Sequence, residues 1–478
     1  MNYSIIIYII GWVLKIEGLF LFLPCVTALF YREKSGFSFL LTAALCLVLG
    51  GWASHQKPRN TVFYGKEGFV TVSLCWIVLS IFGALPFLLS GEIPYLPDAL
   101  FETVSGFTTT GSSILTDVEA LSHCAIMWRS FTHWIGGMGV LVFVLAILPI
   151  SGSGSNMYLM SAESPGPSVS KLVPRVKDTA IILYGIYIVI TVIEIVLLLL
   201  GGMPLFDALT ISFGTAGTGG FGIKNDSMAG YSVYCQTVVT IFMLLCGTNF
   251  NIYYLLLCRK PKQAFQSEEL RMYLGVVFLS ALFISWNIRH LFPGFQAVHQ
   301  AFFQVGSVIT TTGYATTDFN TWPELSKMIL VMLMFSGACA GSTAGGIKLS
   351  RIVVLLKSIS KELFFIVHPR SVKKIRMDGQ AVEHDVLRSI NVFLAAYILI
   401  FTVSVLLISM ESKGLVTTVT SVIATLGNVG PGLDIVGPTG NFSTFSPLSK
   451  LVFIFNMLAG RLELFPMLIL FLPDTWKK

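Results

Sequence analysis

Charge is scarce in this chain. Asp, Glu, Lys and Arg make up 12% of its 478 residues, about half the roughly 25% of a soluble globular domain. So few charges cannot coat a water-facing surface, which excludes a soluble enzyme and a disordered chain. The net charge of +6 is too mild for a nucleic-acid partner. Metal-ligand spacing is missing as well: no C-x-x-C pair and no H-E-x-x-H occurs. The eight cysteines lie mostly inside apolar runs and read as small hydrophobes. The N-terminus has no basic stretch ahead of its apolar run, so a first membrane span is expected there, not a cleaved signal. No nucleophile, base and metal ligands converge, so no enzyme is expected.

What remains is apolar. Hydrophobic residues supply 54% of the chain, with 37 Phe and 43 Gly. Runs near the ~20 residues that cross about 30 Å of hydrocarbon fall at 3–30, 37–54, 68–90, 126–150, 179–202, 234–258, 272–292, 326–356, 389–411 and 448–472. They predict an all-α, multi-pass membrane protein. With the N-terminus cytoplasmic, 21 of the 31 Lys and Arg fall on the cytoplasmic side, as positive-inside sorting requires. Arg32 and Lys34 run against that orientation. Segment 151–170 reads as a Gly/Ser/Pro linker, and 357–388 as a basic cytoplasmic connection.

Between alternate pairs of spans lie semi-polar stretches that repeat. DALFETVSGFTTTGSS (98–113), DALTISFGTAGTGGFG (207–222), QAFFQVGSVITTTGYA (300–315) and TTVTSVIATLGNVGPG (417–432) align without gaps. Their shared fourteenth position is Gly111, Gly220, Gly313 and Gly430. The second block offers Gly219 as a rival, but Gly220 puts Phe221 in line with Tyr314. Each block reads as a short re-entrant helix followed by a glycine-centred loop, and all four loops face the outer side. Such loops survive at membrane depth only when buried in protein or lining water.

The helix end supplies negative dipole, and glycine accepts unusual backbone angles. Loop carbonyls, with hydroxyls of Thr108, Thr109, Thr110, Thr310, Thr311 and Thr312 nearby, can replace the water shell of a monovalent cation. Asp98 and Asp207 open their blocks where an N-cap belongs. The fourth block lacks the Thr run and keeps Asn428 and Val429 ahead of its glycine. GTGGFG (217–222) matches a dinucleotide fingerprint, but it lies between membrane spans with no preceding strand, so the match is accidental.

Two features sit inward of these loops. Arg461 falls mid-span, where a charge is costly and faces the protein interior. It reads either as a structural ion pair, with Glu463 for instance, or as a barrier to cations. SGACAGSTAGG (336–346) interrupts the span 326–356 with residues that hold a helix poorly. It reads as a kinked helix or as a loop protruding into the pore. Glu102 in the first re-entrant helix could attract cations or bond to neighbouring backbone, and Glu194 in the span 179–202 has no evident role.

TTTG, TGGFG, TTTGY and NVGPG resemble degenerate copies of the potassium-channel TVGYG filter. The fourfold span–pore–span chain resembles the Trk/Ktr/HKT superfamily of potassium transporters. WRSFTHWIGGMG (128–139), GACAGSTAGGIK (337–348), AGRLELF (459–465) and two extra N-terminal spans resemble its TrkH/TrkG branch. The likeness implies four pseudo-repeats of span, pore helix, filter loop and span around one pore. These units would be 57–165, 166–264, 265–380 and 381–478, after two extra spans in 1–56. It implies a potassium filter of Thr109, Thr110 and Gly111; Thr218, Gly219 and Gly220; Thr311, Thr312 and Gly313; and Asn428, Val429 and Gly430.

The resemblance also implies a gate formed by Gly337, Ala338, Cys339, Ala340, Gly341, Ser342, Thr343, Ala344, Gly345 and Gly346 together with Arg461. Potassium is then the transported ion, with no covalent cofactor. The partners implied are a second copy in a homodimer, a cytosolic nucleotide-binding subunit of the TrkA type, and the bilayer of the cell (inner) membrane. Glycine at the first ring position, Gly111, sides with potassium rather than with the sodium-transporting plant members that carry serine there. A sodium-preferring transporter or a sodium- or proton-coupled symporter of the same architecture remains the alternative.

Overall fold

The structure is a computed structural model that describes residues 1–55, 58, 65–139, 176–372 and 374–477. The linker 151–170, Lys57, Arg59, Lys171, Arg175, Lys373, Lys478 and the inner half of the expected span 126–150 lie outside the described residues. Among those described, the chain is helical apart from one two-residue antiparallel hairpin that pairs Arg376 with Ala381 and Met377 with Gln380. Six helices are long and apolar enough to cross a membrane, or seven if a bent pair counts as one span. The chain is a multi-pass membrane protein.

The first two spans pack on each other as Tyr3–Phe20 continued by Phe22–Tyr31, and Gly36–Ala53. Four units of one design follow. Each begins with a long outer helix: Gly65–Ser90, Val176–Leu200, Glu268–Asn287 and His384–Ser409. A short re-entrant helix comes next: Leu96–Phe107, Leu205–Gly217, Phe295–Ile309 and Leu415–Leu426. The third part is a second helix: His123–Gly137, Val233–Cys246, Glu324–Ser336 and Pro447–Arg461.

The break in the third of these second helices falls at the interruption expected from 336–346, whereas those in the second and fourth cut runs that the sequence reads as spans, 234–258 and 448–472. Val233–Cys246 turns by 89° into Phe250–Leu257. Glu324–Ser336 gives way to an irregular loop before Leu349–Val367, and Pro447–Arg461 to the short turn Phe465–Leu468. In the first and fourth units the second helix ends where glycine lets it meet the backbone beneath a re-entrant helix. A Cβ on Gly136 would strike the Phe107 carbonyl, and one on Gly460 the Leu426 carbonyl. Hydropathy counts apolar residues and is blind to this contact.

The acids that open the blocks are also displaced from expectation. Asp98 and Asp207 stand in the first helical turn, while Tyr95 and Pro204 occupy the N-cap positions without side-chain bonds. Asp98 instead meets the Lys450 ammonium at 2.6 Å, and Asp207 accepts from the Tyr231 hydroxyl at 2.8 Å.

Candidate functional site

The four loops after the re-entrant helices adopt one backbone conformation. Thr109, Thr218, Thr311 and Asn428 have φ between 54° and 55°, and the four aligned glycines two residues later have φ of 80°, 75°, 87° and 101°. These are left-handed angles that cost little only at glycine. In the second loop Gly220 takes the positive angle and Gly219 does not. The gap-free sequence alignment is therefore also an alignment of dihedral angles.

The loops close on one another in a fixed direction. A Cβ on Gly111 would collide with the Gly219 carbonyl oxygen, one on Gly220 with that of Thr312, and one on Gly313 with that of Val429. On Gly430 it would lie 2.7 Å from the carbonyl oxygen of Thr110, which completes the circle. Four glycines thus face four carbonyls around one axis. No described residue donates a hydrogen bond to the carbonyls of Thr110, Gly219, Thr312 or Val429. On the loop side the same four glycines, with Arg129 and Lys224, line a polar bowl of about 160 Å³.

The threonine hydroxyls serve a different purpose from the one their composition suggests. Thr108 and Thr110 hydroxyls bond to each other at 2.8 Å, as do those of Thr310 and Thr312. Asn428 Nδ2 donates to Thr110 Oγ1 at 2.8 Å, tying the fourth loop to the first. Thr311 Oγ1 accepts from the Gly345 N–H at 2.7 Å, and Thr109 Oγ1 accepts from Arg461 at 3.2 Å. All six hydroxyls are engaged within the protein, so the unpartnered acceptors are backbone oxygens.

A buried frame behind the ring includes residues that the sequence reading passed over. Arg129 Nε donates to Glu102 Oε1 at 2.6 Å and Nη1 to the Gly222 carbonyl at 2.7 Å. Its guanidinium lies 3.6 Å from the centroid of the Phe221 ring. Glu102 also accepts from the Ile114 N–H at 2.9 Å and from the Ser113 hydroxyl. It is committed to the protein, so the bonding alternative for Glu102 is the one observed. His133 Nδ1 donates to the Gly106 carbonyl at 2.8 Å, while Nε2 accepts from the Phe221 N–H at 3.2 Å. The two side chains clamp the first re-entrant helix to the second loop. An arginine and a histidine four apart in an apolar span were the available signal. Glu194 lies buried against Thr215 of the second re-entrant helix.

On the opposite side of the ring, Arg461 ends its helix and meets four acceptors. Nη1 donates to the Thr343 carbonyl at 2.7 Å and to Thr109, and Nη2 to the carbonyls of Gly136 and Gly137 at 2.5 and 2.7 Å. Glu463 is paired elsewhere, with Arg351 at 2.5 Å, so it is not the partner of Arg461. The segment 337–348 is a loop and not a kinked helix. Glu269 pins it through the Ala340 and Ser350 N–H groups at 2.7 and 3.0 Å. Cys339 N–H donates to the Gly247 carbonyl at 3.1 Å, and Lys348 Nζ to the Ala344 carbonyl. The loop and Arg461 therefore touch each other, and both touch the threonines of the ring.

Comparison with known proteins supplies the lineage. The family model TrkH, described as a cation transport protein, matches residues 35–288 and 292–478. The chain is similar to the Trk system potassium uptake protein TrkH of Escherichia coli K12, at 38% identity over 100% of both chains. It is similar to the Trk system potassium uptake protein TrkG of that strain at 32% identity, over 99% of this chain and 98% of the relative. The crystal structure of the potassium transporter TrkH from Vibrio parahaemolyticus superposes with a TM-score of 0.89 at 32% identity, over 100% of both chains. A transport family, not an enzyme family, accounts for the whole chain: it belongs to the TrkH family of cation transport proteins.

Proposed function

We propose that this chain carries potassium ions across the inner membrane through the glycine–carbonyl ring. The observation that carries the reading is the set of four buried carbonyl oxygens, closed into a circle, that no described residue satisfies. Buried backbone carbonyls require partners, and a dehydrated monovalent cation on the axis is such a partner. The names of the E. coli relatives supply the choice of potassium. The residues of the filter are Thr109–Gly111, Thr218–Gly220, Thr311–Gly313 and Asn428–Gly430. The loop 337–346 and Arg461 form the constriction beneath it, the arginine through its positive charge and the loop through its bulk.

Opening of that constriction is assigned to a cytosolic nucleotide-binding subunit of the TrkA type, acting on a homodimer with one pore per chain and a cytoplasmic N-terminus. The basic connection supports such a docking surface, with Lys374 and Arg376 exposed beside the hairpin. Neutralising Lys374 and Arg376 together is expected to weaken co-purification with that subunit while membrane insertion is retained. Binding that is unchanged across a range of salt concentrations moves the contact elsewhere.

Growth of potassium-uptake-deficient cells on limiting potassium tests the central reading. The native chain is expected to restore growth and the Gly313→Asp chain to fail at equal membrane abundance. Equal growth with both overturns the ring as the ion path.

A further inference from the structure

Four units of one design allow their junctions to be compared position by position. At each junction the second helix of one unit meets the re-entrant helix of the next. Between units one and two, Phe213 fills the space against Phe131 and Trp134, with ring centroids at 5.3 and 6.1 Å. Between two and three, His299 Nε2 and Gln236 Oε1 meet at 2.8 Å. Between four and one, Lys450 reaches Asp98, and Phe453 packs on Phe442 and Phe101 at 5.3 and 6.4 Å. Three junctions are filled.

The junction between units three and four breaks the pattern. Lys327 is the fourth residue of Glu324–Ser336, as Lys450 is of Pro447–Arg461. The residue that stands where Asp98 stands is Thr417, which has no charge to offer. Thr417 turns its hydroxyl to Asp434 at 2.5 Å. Lys327 folds back onto Glu324 of its own helix at 2.6 Å, with the glutamate side chain 87% exposed. A solvent-exposed pair of this kind holds its partners weakly, so both charges remain available. Among the described residues no aromatic side chain lines the gap, which holds a cavity of about 610 Å³. That volume lies in the ~300–1,000 Å³ range of small-molecule sites.

The lining is divided in kind. Met328, Val331, Val419 and Leu433 form an apolar interior, and Leu415 and Val416 stand exposed at its mouth. Exposed apolar side chains at that mouth suit contact with an acyl chain. One end carries Lys327, Glu324, Asp434 and Asn320, which is one cation with two carboxylates. An anionic headgroup meets net repulsion there. A phosphate joined to a primary ammonium finds a partner for each charge.

We propose that this junction binds a zwitterionic aminophospholipid of the phosphatidylethanolamine type. One acyl chain lies among Met328, Val331 and Val419, the phosphate on Lys327, and the ammonium between Glu324 and Asp434. The lipid does at the third junction what aromatic rings and the Lys450–Asp98 pair do at the others. The site is separate from the ring and its constriction.

The test uses the full chain purified in mild detergent and washed, with bound phospholipid extracted and quantified by mass spectrometry. The native chain is expected to retain about one phosphatidylethanolamine. Val419→Trp, which fills the cavity, and Lys327→Met, which removes the phosphate partner, should each lower retention about tenfold, a change equivalent to ~1.4 kcal/mol. Thermal unfolding in nanodiscs guards against a misfolded variant. Phosphatidylethanolamine should raise the midpoint of the native chain above its value in phosphatidylcholine or phosphatidylglycerol, and Lys327→Met should lose that difference. Equal retention in all three chains, or preference for phosphatidylglycerol, overturns the proposal. Efficient cross-linking of Met328→Cys between two copies also overturns it and makes a second copy the occupant.

Discussion

The ring and the proposed constriction beneath it are built on opposite plans. Every part of the ring occurs four times: the re-entrant helix, the left-handed residue, the glycine two positions on, and the carbonyl that the preceding unit's glycine approaches. The constriction has no such repetition. One loop from the third unit and one arginine from the fourth fill it, and Arg461 reaches across to carbonyls of the first. An ion is coordinated equally from all sides only by equivalent groups, whereas a barrier needs a single obstacle that can be withdrawn. On the proposed function, symmetry is kept where the ion is coordinated and lost where its path is blocked.

The largest expected effect comes from breaking the symmetric part. Gly111→Asp or Gly313→Asp places a Cβ against a neighbouring carbonyl, at a positive φ that costs a non-glycine residue on the order of 1–3 kcal/mol. Potassium uptake should fall to the level of cells lacking the chain. Gly275→Ala, whose added Cβ meets nothing within 4 Å, should leave uptake unchanged. A similar loss in the control would remove the distinction between ring and background.

Next in size is the buried frame. Glu102→Ala leaves Arg129, 3% exposed, charged and without its carboxylate, which costs about 3–5 kcal/mol. A large drop in the thermal midpoint is expected, together with lower potassium-over-sodium selectivity in reconstituted protein. Wild-type stability would assign Glu102 to ion attraction instead.

The asymmetric part should respond in the opposite direction. Arg461→Ala, or removal of several residues within 338–345, should raise potassium flux in vesicles. Because arginine and loop share the Thr343 contact, the double change should fall short of the sum of the two. Arg461 also bonds Thr109, so Arg461→Ala is expected to shift selectivity modestly, whereas the loop deletion should spare it. Lower flux in well-folded Arg461→Ala protein would show a strut and not an obstacle.

A smaller effect concerns the contact between the extra spans and the first unit, outside the membrane segments. Glu33 accepts from the N–H groups of His123 and Cys124 at 2.8 and 3.0 Å. Burial pushes its carboxyl up, but these bonds and the His123 side chain outweigh that and hold it below the ordinary 4.5. A lowered folded value means that the ionised form stabilises the fold above about pH 4.5. The contribution fades as pH falls toward the lowered value. Glu33→Gln should therefore flatten the acid limb of a thermal-midpoint profile and change little at neutral pH.

Local repetition made much of this legible in advance. A glycine at the fourteenth position of four blocks announces a shared backbone angle, and the structure gives all four that angle, with Gly220 preferred over Gly219. The runs 234–258 and 448–472 read as single spans because Leu, Val and Met score as apolar on both sides of a break, whereas the small-residue run 336–346 announces the break in the third unit. In the first and fourth units the second helix ends at contact with a distant backbone, at Gly136 and Gly460, for which no local composition stands. Threonine gave a similar lesson. Its abundance suggested hydroxyl ligands, yet each hydroxyl is committed to a neighbour, some within the loop, as Thr108 with Thr110, and some far along the chain, as Thr110 with Asn428. The partners of Arg461 were out of reach for the same reason, since they lie more than a hundred residues away.

The direction in which the ring closes has a consequence for how the protein is made. Its final contacts join residues 318 positions apart, Ser112 to the Gly430 carbonyl and Asn428 to Thr110, and the Lys450–Asp98 pair spans 352. A ribosome delivering the chain into a bilayer has released most of it before the last quadrant exists. Until then Gly111 and its neighbours form an open arc whose carbonyls do not surround an axis. The arc cannot strip an ion of water from every side. With the ring as the proposed ion path, synthesis passes through no partly built filter, and the path is complete only with the insertion of the final unit.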